Sequence, residues 1–213
     1  MRENLPTIVP GSIDDVGRPP VMTQALPEWF YPGPEGGWTA EDLDRLPPEA
    51  PRRIELIHGA LVVMSPQSLF HMRVLNRLNA SLEAQAPPSF FIAREMTIRL
   101  GRRSRPEPDL TVVDATAAQN PELTAFQPAD VRLVVEVVSP ESEDRDRNVK
   151  PALYAKSGIA NFWRIEKDMG NAVVYVYELD PATQAYVATG VHRGTMKLDV
   201  PFPLVLDVAA LIR

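Results

Sequence analysis

Three carboxylates in this chain each adjoin a β-rich apolar run. Glu55 lies in RRIEL (52–56), Asp109 opens DLTVV (109–113), and Glu136 sits inside VRLVVEVV (131–138). An ionised carboxylate held out of water is costly unless something pairs with it. If the three strands are neighbours their acids converge on one point, where mutual repulsion raises their pKa values or recruits a cation. A hard divalent ion, Mg²⁺ with Mn²⁺ as its substitute, suits such a point because it takes oxygen ligands and keeps several waters. Phosphoryl chemistry follows, since the metal neutralises phosphate charge and lowers the pKa of a bound water.

Each acid also has a plainer reading. Glu55 and Asp109, at strand ends, could be exposed or paired with arginine. Glu136 could bridge to Arg132, four residues back on the same strand face. Against this, Val134 and Val138 share its face and Val135 and Val137 line the other, so neither face reads as solvated.

The elements that must position these acids can be read from periodicity and punctuation. Residues 131–138, rich in β-branched side chains and ended by Ser139-Pro140, read as a strand buried on both faces. Residues 52–64, RRIELIHGALVVM, read as two strands about a tight turn at His58-Gly59. Ser68 caps a long helix with Val74, Leu75, Leu78 and Leu82 on one face, stopped by Pro87-Pro88. Strands follow at 90–93, 96–100 and 110–114. A second helix opens near 147–151 with Pro151 in its first turn and Gly158 as its C-cap. Strands at 161–166, 172–179, 185–189 and 195–200 and a short helix from Val208 complete the chain. Thr39 and Asp42 open another short helix through Leu46. The order predicts an α/β or α+β fold, a mixed central sheet flanked by helices. Residues 1–36, rich in proline and glycine, read as an irregular arm that contacts the body or a second subunit through Trp29, Phe30 and Tyr31, and 37–213 as one domain.

With 28 acidic against 22 basic residues and a formal net charge of −6, the chain is not built to coat nucleic acid by bulk electrostatics. Local basic clusters remain at Arg102, Arg103 and Arg105 and at Arg145, Arg147 and Lys150, either as solvated loops or as flanks to the acidic motif. No run approaches the roughly 18 to 20 apolar residues of a membrane span. The first residues lack the apolar core of a secretory signal and there are no cysteines, so a cytoplasmic protein is expected.

Pro108-Asp109 followed by Glu136-Val137-Val138 resembles the signature of PD-(D/E)xK nucleases, in which two acids hold the metal and a lysine two places after the second contacts the phosphate or the water. The chain more closely resembles the Uma-two family of restriction-endonuclease-like proteins. The matching pieces are IELIHG (54–59), SLFH (68–71), PDLTVVD (108–114), LVVEVVSPES (133–142), DRNVK (146–150) with Tyr154, and GIANFWRIE (158–166). The resemblance implies a restriction-endonuclease-like core with Asp109 and Glu136 as metal ligands and Glu55 as a third acid. Two positions depart from it: Val138 stands where the motif lysine belongs, and His58 where an aspartate is common. Lys150, at the start of the next helix, is the candidate replacement lysine, with a solvated surface lysine as the plain alternative. His71 could orient a phosphate or a water, or be a hydrogen-bonded histidine at a helix start. Asp146 and Arg147 read as fixing the start of the helix, with Arg147 a second candidate for phosphate contact.

Two functions are therefore expected as alternatives. One is a metal-dependent endonuclease, a hydrolase of phosphodiester bonds, with DNA implied by the resemblance and nothing separating it from RNA. The other is an inactive binding or structural protein on a nuclease scaffold. A two-fold homodimer suits an enzyme that must cut two strands.

Overall fold

The computed structural model describes residues 27–31 and 36–213; the remainder of the predicted arm, 1–26 and 32–35, lies outside the described residues. The chain divides into two units, Met1–Tyr31 and Pro32–Arg213. In the first, Glu28–Phe30 form one 3-10 turn in which the rings of Trp29 and Phe30 meet edge to face.

The second unit begins with α1 (Ala40–Leu43), opened by a capping box between Thr39 and Asp42. Strands β1 (Ile54–Ile57) and β2 (Ala60–Val63) form a hairpin. Its two turn residues, His58 and Gly59, both have left-handed backbone, at φ 50° and 85°, as a twist-matched two-residue turn requires. Helix α2 (Leu69–Glu83) starts where the Ser68 hydroxyl accepts the His71 N–H at 3.2 Å. Then come β3 (Phe90–Arg94), β4 (Thr97–Ile98), β5 (Leu110–Asp114), β6 (Ala125–Phe126) and β7 (Val131–Val137). A five-residue π-turn, Arg145–Val149, leads into α3 (Lys150–Lys156). Strands β8 (Asn161–Asp168), β9 (Asn171–Asp180), β10 (Ala185–His192), β11 (Thr195–Leu198) and β12 (Leu204–Asp207) follow, and a 3-10 turn, Val208–Ile212, ends the chain.

The expected mixed sheet is present: six strands in the order β10-β9-β8-β7-β5-β3. All neighbours are antiparallel except β7 and β8. A parallel pair needs a crossover, and the π-turn and α3 supply it. On one face, Leu133, Val135 and Val137 of β7 pack with Val74, Leu75, Leu78 and Leu82 of α2. On the other, Val131 and Val134 pack with Tyr154 and Ile159 at the α3 side. Strand alternation therefore turns Glu136 toward α3.

Several details differ from the sequence reading, among them α1, which ends at Leu43 and not Leu46. The strand expected at 96–100 is only Thr97–Ile98, paired in parallel with the unforeseen β6. The strand expected to reach residue 200 stops at Leu198 and pairs with β12, whose four residues were too few to stand out. The terminal helix is a 3-10 turn, and the second helix is preceded by the π-turn. Arg105, one of the basic loop cluster, is no solvated side chain. It is 3% exposed and binds Asp44 Oδ1 at 2.8 Å, the Ala40 and Thr124 carbonyls at 3.0 Å and Thr97 Oγ1 at 2.9 Å, tying α1 to β4 and the β6 edge. No helix among the described residues is long and apolar enough to cross a membrane.

Candidate active site

The register of β5 on β7, with Leu110 opposite Val135, brings Asp109 and Glu136 to the same end of the sheet. Asp109 is buried and held on two sides. Its Oδ2 accepts the Val137 N–H at 2.7 Å, and its Oδ1 lies 2.9 Å from His71 Nε2 without the alignment of a hydrogen bond. The same turn that caps α2 thus delivers His71 to the acid. His71 is buried at the helix start with its imidazole beside Asp109 at the cavity wall.

Glu136, 1% exposed, meets two side chains from the crossover. The Tyr154 hydroxyl donates to its Oε1 at 2.6 Å, and Lys150 Nζ lies 3.1 Å from Oε1 and 3.2 Å from Oε2. Lys150 Nζ is also 2.7 Å from Glu55 Oε1 and 3.3 Å from Asp146 Oδ1; these two contacts are ion pairs without hydrogen-bond alignment. Lys150, the candidate replacement lysine, is therefore buried in the cluster and not a solvated surface side chain. The bridge considered between Glu136 and Arg132 does not form, because Arg132 faces out to Asp114.

One ammonium thus stands among three carboxylates, with a fourth, Asp109, close by. Burial pushes the Glu136 carboxyl well above its usual range, and the neighbouring acids Asp146, Asp109 and Glu55 add to this against the opposing Lys150. Burial likewise raises Glu55 and Asp146. For Lys150, burial works to discharge the ammonium, but Glu136, Glu55 and Asp146 outweigh it and hold the pKa well above the ordinary lysine value. The lysine is held as an ammonium, and the carboxyls around it outnumber it, so the raised acids must either keep protons or meet a further cation.

Asp109, Glu136, Lys150, Asp146 and His71 line one cavity of about 260 Å³, walled by 65–68 before α2 and by 139–142 after β7. Glu55 does not line it; fully buried, it faces Lys150. Arg147 is not brought to this cavity. It is exposed, pairs with Glu143 and binds Glu166 at 2.6 Å, beside a different pocket. Among the described residues no group of three or more His, Asp or Glu side chains is arranged to hold a metal ion. A pair remains at the cavity, Asp109 and Glu136, and Mg²⁺ is commonly held by one or two carboxylates plus waters. Their oxygen donors are of the kind such an ion takes, and Glu55, which does not line the cavity, would not be a third ligand.

Sequence reasoning missed Asp146 and Tyr154 as members of the cluster. Their spacing, 146, 150 and 154, places them on one helical face with Lys150, a signal that was available. It also missed Arg53, which lines the cavity from the residue before β1.

Comparison with known proteins bears on this architecture. No curated protein matches the chain. The crystal structure of "a putative nuclease belonging to DUF820" from Anabaena variabilis ATCC 29413 is similar, with a TM-score of 0.64 and 20% identity over 82% of this chain and 97% of that one. That likeness places the chain in the same fold. The model of the Uma2 family, described as "Putative restriction endonuclease", matches residues 40–209, which span β1 to β12 with the whole acidic cluster, and the chain belongs to that family.

Proposed function

We propose that this protein is a metal-dependent nuclease that hydrolyses phosphodiester bonds, with DNA as the substrate. The observation that carries the reading is the convergence of Asp109, Glu136 and Lys150 on one cavity in which carboxylates outnumber the ammonium. Asp109 and Glu136 would hold Mg²⁺ or Mn²⁺, and the ion, when bound, supplies charge neutralisation at phosphate and a water of lowered pKa. The Val137 N–H fixes the Asp109 carboxylate, with His71 beside its other oxygen. Tyr154 fixes Glu136. Lys150 presents a permanent positive charge where charge develops on the attacked phosphate, while Glu55 and Asp146 hold it in place. Position 138 no longer needs the motif lysine, because the crossover brings an ammonium to the same carboxylate.

Calorimetric titration with Mn²⁺ and cleavage of a labelled DNA duplex test this together. Wild type should bind the ion and cut, and both properties should be lost in Asp109→Asn and Glu136→Gln. A second reading, a binding protein on an inactive nuclease scaffold, draws on the fact that Lys150 already contacts both oxygens of Glu136. Absence of metal binding at millimolar Mn²⁺, with no cleavage, would favour it.

A further inference from the structure

Arg53 stands just before β1, two residues from Glu55 and on the same strand face. Its guanidinium is pinned from two directions. Nε donates to Glu107 Oε1 at 2.9 Å and Nη1 lies 3.1 Å from Glu95 Oε1. Glu95 is itself held by Gln67 Nε2 at 3.0 Å, and Glu107 is buried. The third nitrogen, Nη2, is buried and has no hydrogen-bond partner among the described residues. Arg53 and Gln67 both line the cavity of Asp109, Glu136 and Lys150.

A buried donor without a partner is unfavourable, and here the rest of the side chain is fixed so that the free edge cannot swing away. A guanidinium held in this manner is a preorganised cationic donor for an oxyanion, because its charge and position are fixed and little rotamer freedom remains to be lost. The cavity also needs such a group. Its carboxylates repel a phosphate, and Lys150 is already shared among three of them.

We propose that Arg53 is a substrate-binding residue whose guanidinium, set in the wall of the cavity, holds a non-bridging oxygen of a backbone phosphate. This rests on the nuclease reading for the identity of the ligand. Glu107 and Glu95 are its positioning partners.

The test uses the full chain and a fluorescein-labelled DNA oligonucleotide, measuring binding by anisotropy in EDTA and cleavage with Mn²⁺. Variants are Arg53→Lys, which keeps the charge beside Glu107 and Glu95 but loses the guanidinium, and Arg53→Gln. A neutral methylphosphonate linkage is walked along the oligonucleotide. Loss of a charge-assisted hydrogen bond should weaken oligonucleotide binding and raise KM by about tenfold or more, with a smaller change in kcat. One methylphosphonate position that weakens binding to wild type should have no effect on Arg53→Lys. A purely structural Arg53 would lower the melting temperature of both variants while leaving KM and the methylphosphonate profile unchanged, and that result overturns the proposal. If wild type binds without cleaving, and Arg53→Lys abolishes the methylphosphonate effect, the nuclease reading fails while the role of Arg53 stands. If wild type cleaves and Arg53→Lys cleaves and binds equally well, the nuclease reading stands and the role of Arg53 fails. Absence of both binding and cleavage in wild type overturns both.

Discussion

The shortest ion pair of Lys150, 2.7 Å from Nζ to Oε1, is with Glu55, a carboxylate that does not line the cavity. The lysine is thereby tethered to β1 as well as to β7, and its charge is needed for folding in addition to any chemistry. Lys150→Met keeps much of the volume but leaves Glu55, Glu136 and Asp146 buried without their cation. The expected loss is about 3–5 kcal/mol, the usual cost of breaking a buried pair. Adding Glu55→Gln should recover part of it, because one uncompensated charge goes. Urea denaturation of the single and double variants measures both, and a single-variant loss under about 1 kcal/mol, typical of an exposed pair, would show that the cluster is solvated.

The pH dependence of stability follows from the same cluster. Burial raises the pKa of Glu136, Glu55 and Asp146 in the folded state. A carboxyl that holds its proton more tightly when folded contributes most stability below its unfolded pKa, and that contribution fades as pH rises through the folded value. Asp42, lowered by its bonds to Thr39, and Asp114, lowered by Arg132, act in the opposite sense, and their contribution is complete once pH exceeds the ordinary carboxyl range. Above the ordinary carboxyl range the falling slope therefore belongs to the buried acids. The melting temperature of wild type should fall over that window and fall less in Glu136→Gln. Saturating Mn²⁺ should flatten the wild-type slope and leave that of Glu136→Gln unchanged. Identical slopes without metal would contradict the raised Glu136 pKa.

Arg105 offers a test of the fold that is separate from the site. It is buried, and it satisfies two carbonyls that join segments 65 and 19 residues away. Arg105→Met removes those donors and one of the partners of Asp44, which keeps Arg99 and Thr124. A cost of about 3 kcal/mol or more is expected, with any Mn²⁺ affinity unchanged because Arg105 does not line the cavity of Asp109 and Glu136. A loss of metal binding in the folded variant would mean that α1 and its neighbours bear on the site.

How much of this was legible in the sequence depended on how local the cause was. The Ser68 cap, the His58-Gly59 turn and the apolar stripe of α2 are written in residues close together, and each appears as read. Glu136 was recognisable as a misfit because its strand is apolar on both faces. Lys150 was named for it through the family resemblance, but Tyr154 was not placed beside it, since both reach Glu136 only through the crossover between parallel strands, and sequence spacing does not state which edge a crossover returns to. Arg53 was invisible for a similar reason: its partners Glu95 and Glu107 lie 42 and 54 residues away. Arg147, adjacent to Asp146 in sequence, points the other way because neighbouring helical positions do not share a face.

Val138 raises the question of whether the lysine position can migrate along this scaffold. It follows β7 directly, its N–H donates to the Ile165 carbonyl at 2.9 Å, and it is only half-buried. Two residues after Glu136, its side chain shares that residue's strand face. A lysine there can send its stem over the sheet end while its ammonium approaches Glu136, and the exposed side of the position gives the chain room. Val138→Lys in a Lys150→Met background should therefore restore part of the lost stability, about 1–2 kcal/mol as for a charge-assisted hydrogen bond, and part of any cleavage activity. In a wild-type background the same substitution should be close to neutral for folding, because Lys150 already occupies the carboxylates. Urea midpoints of the four proteins, wild type, two singles and the double, give the coupling between positions 138 and 150. Additive effects would mean that position 138 cannot reach Glu136, and that Lys150 holds the only route by which this fold brings an ammonium to its acids.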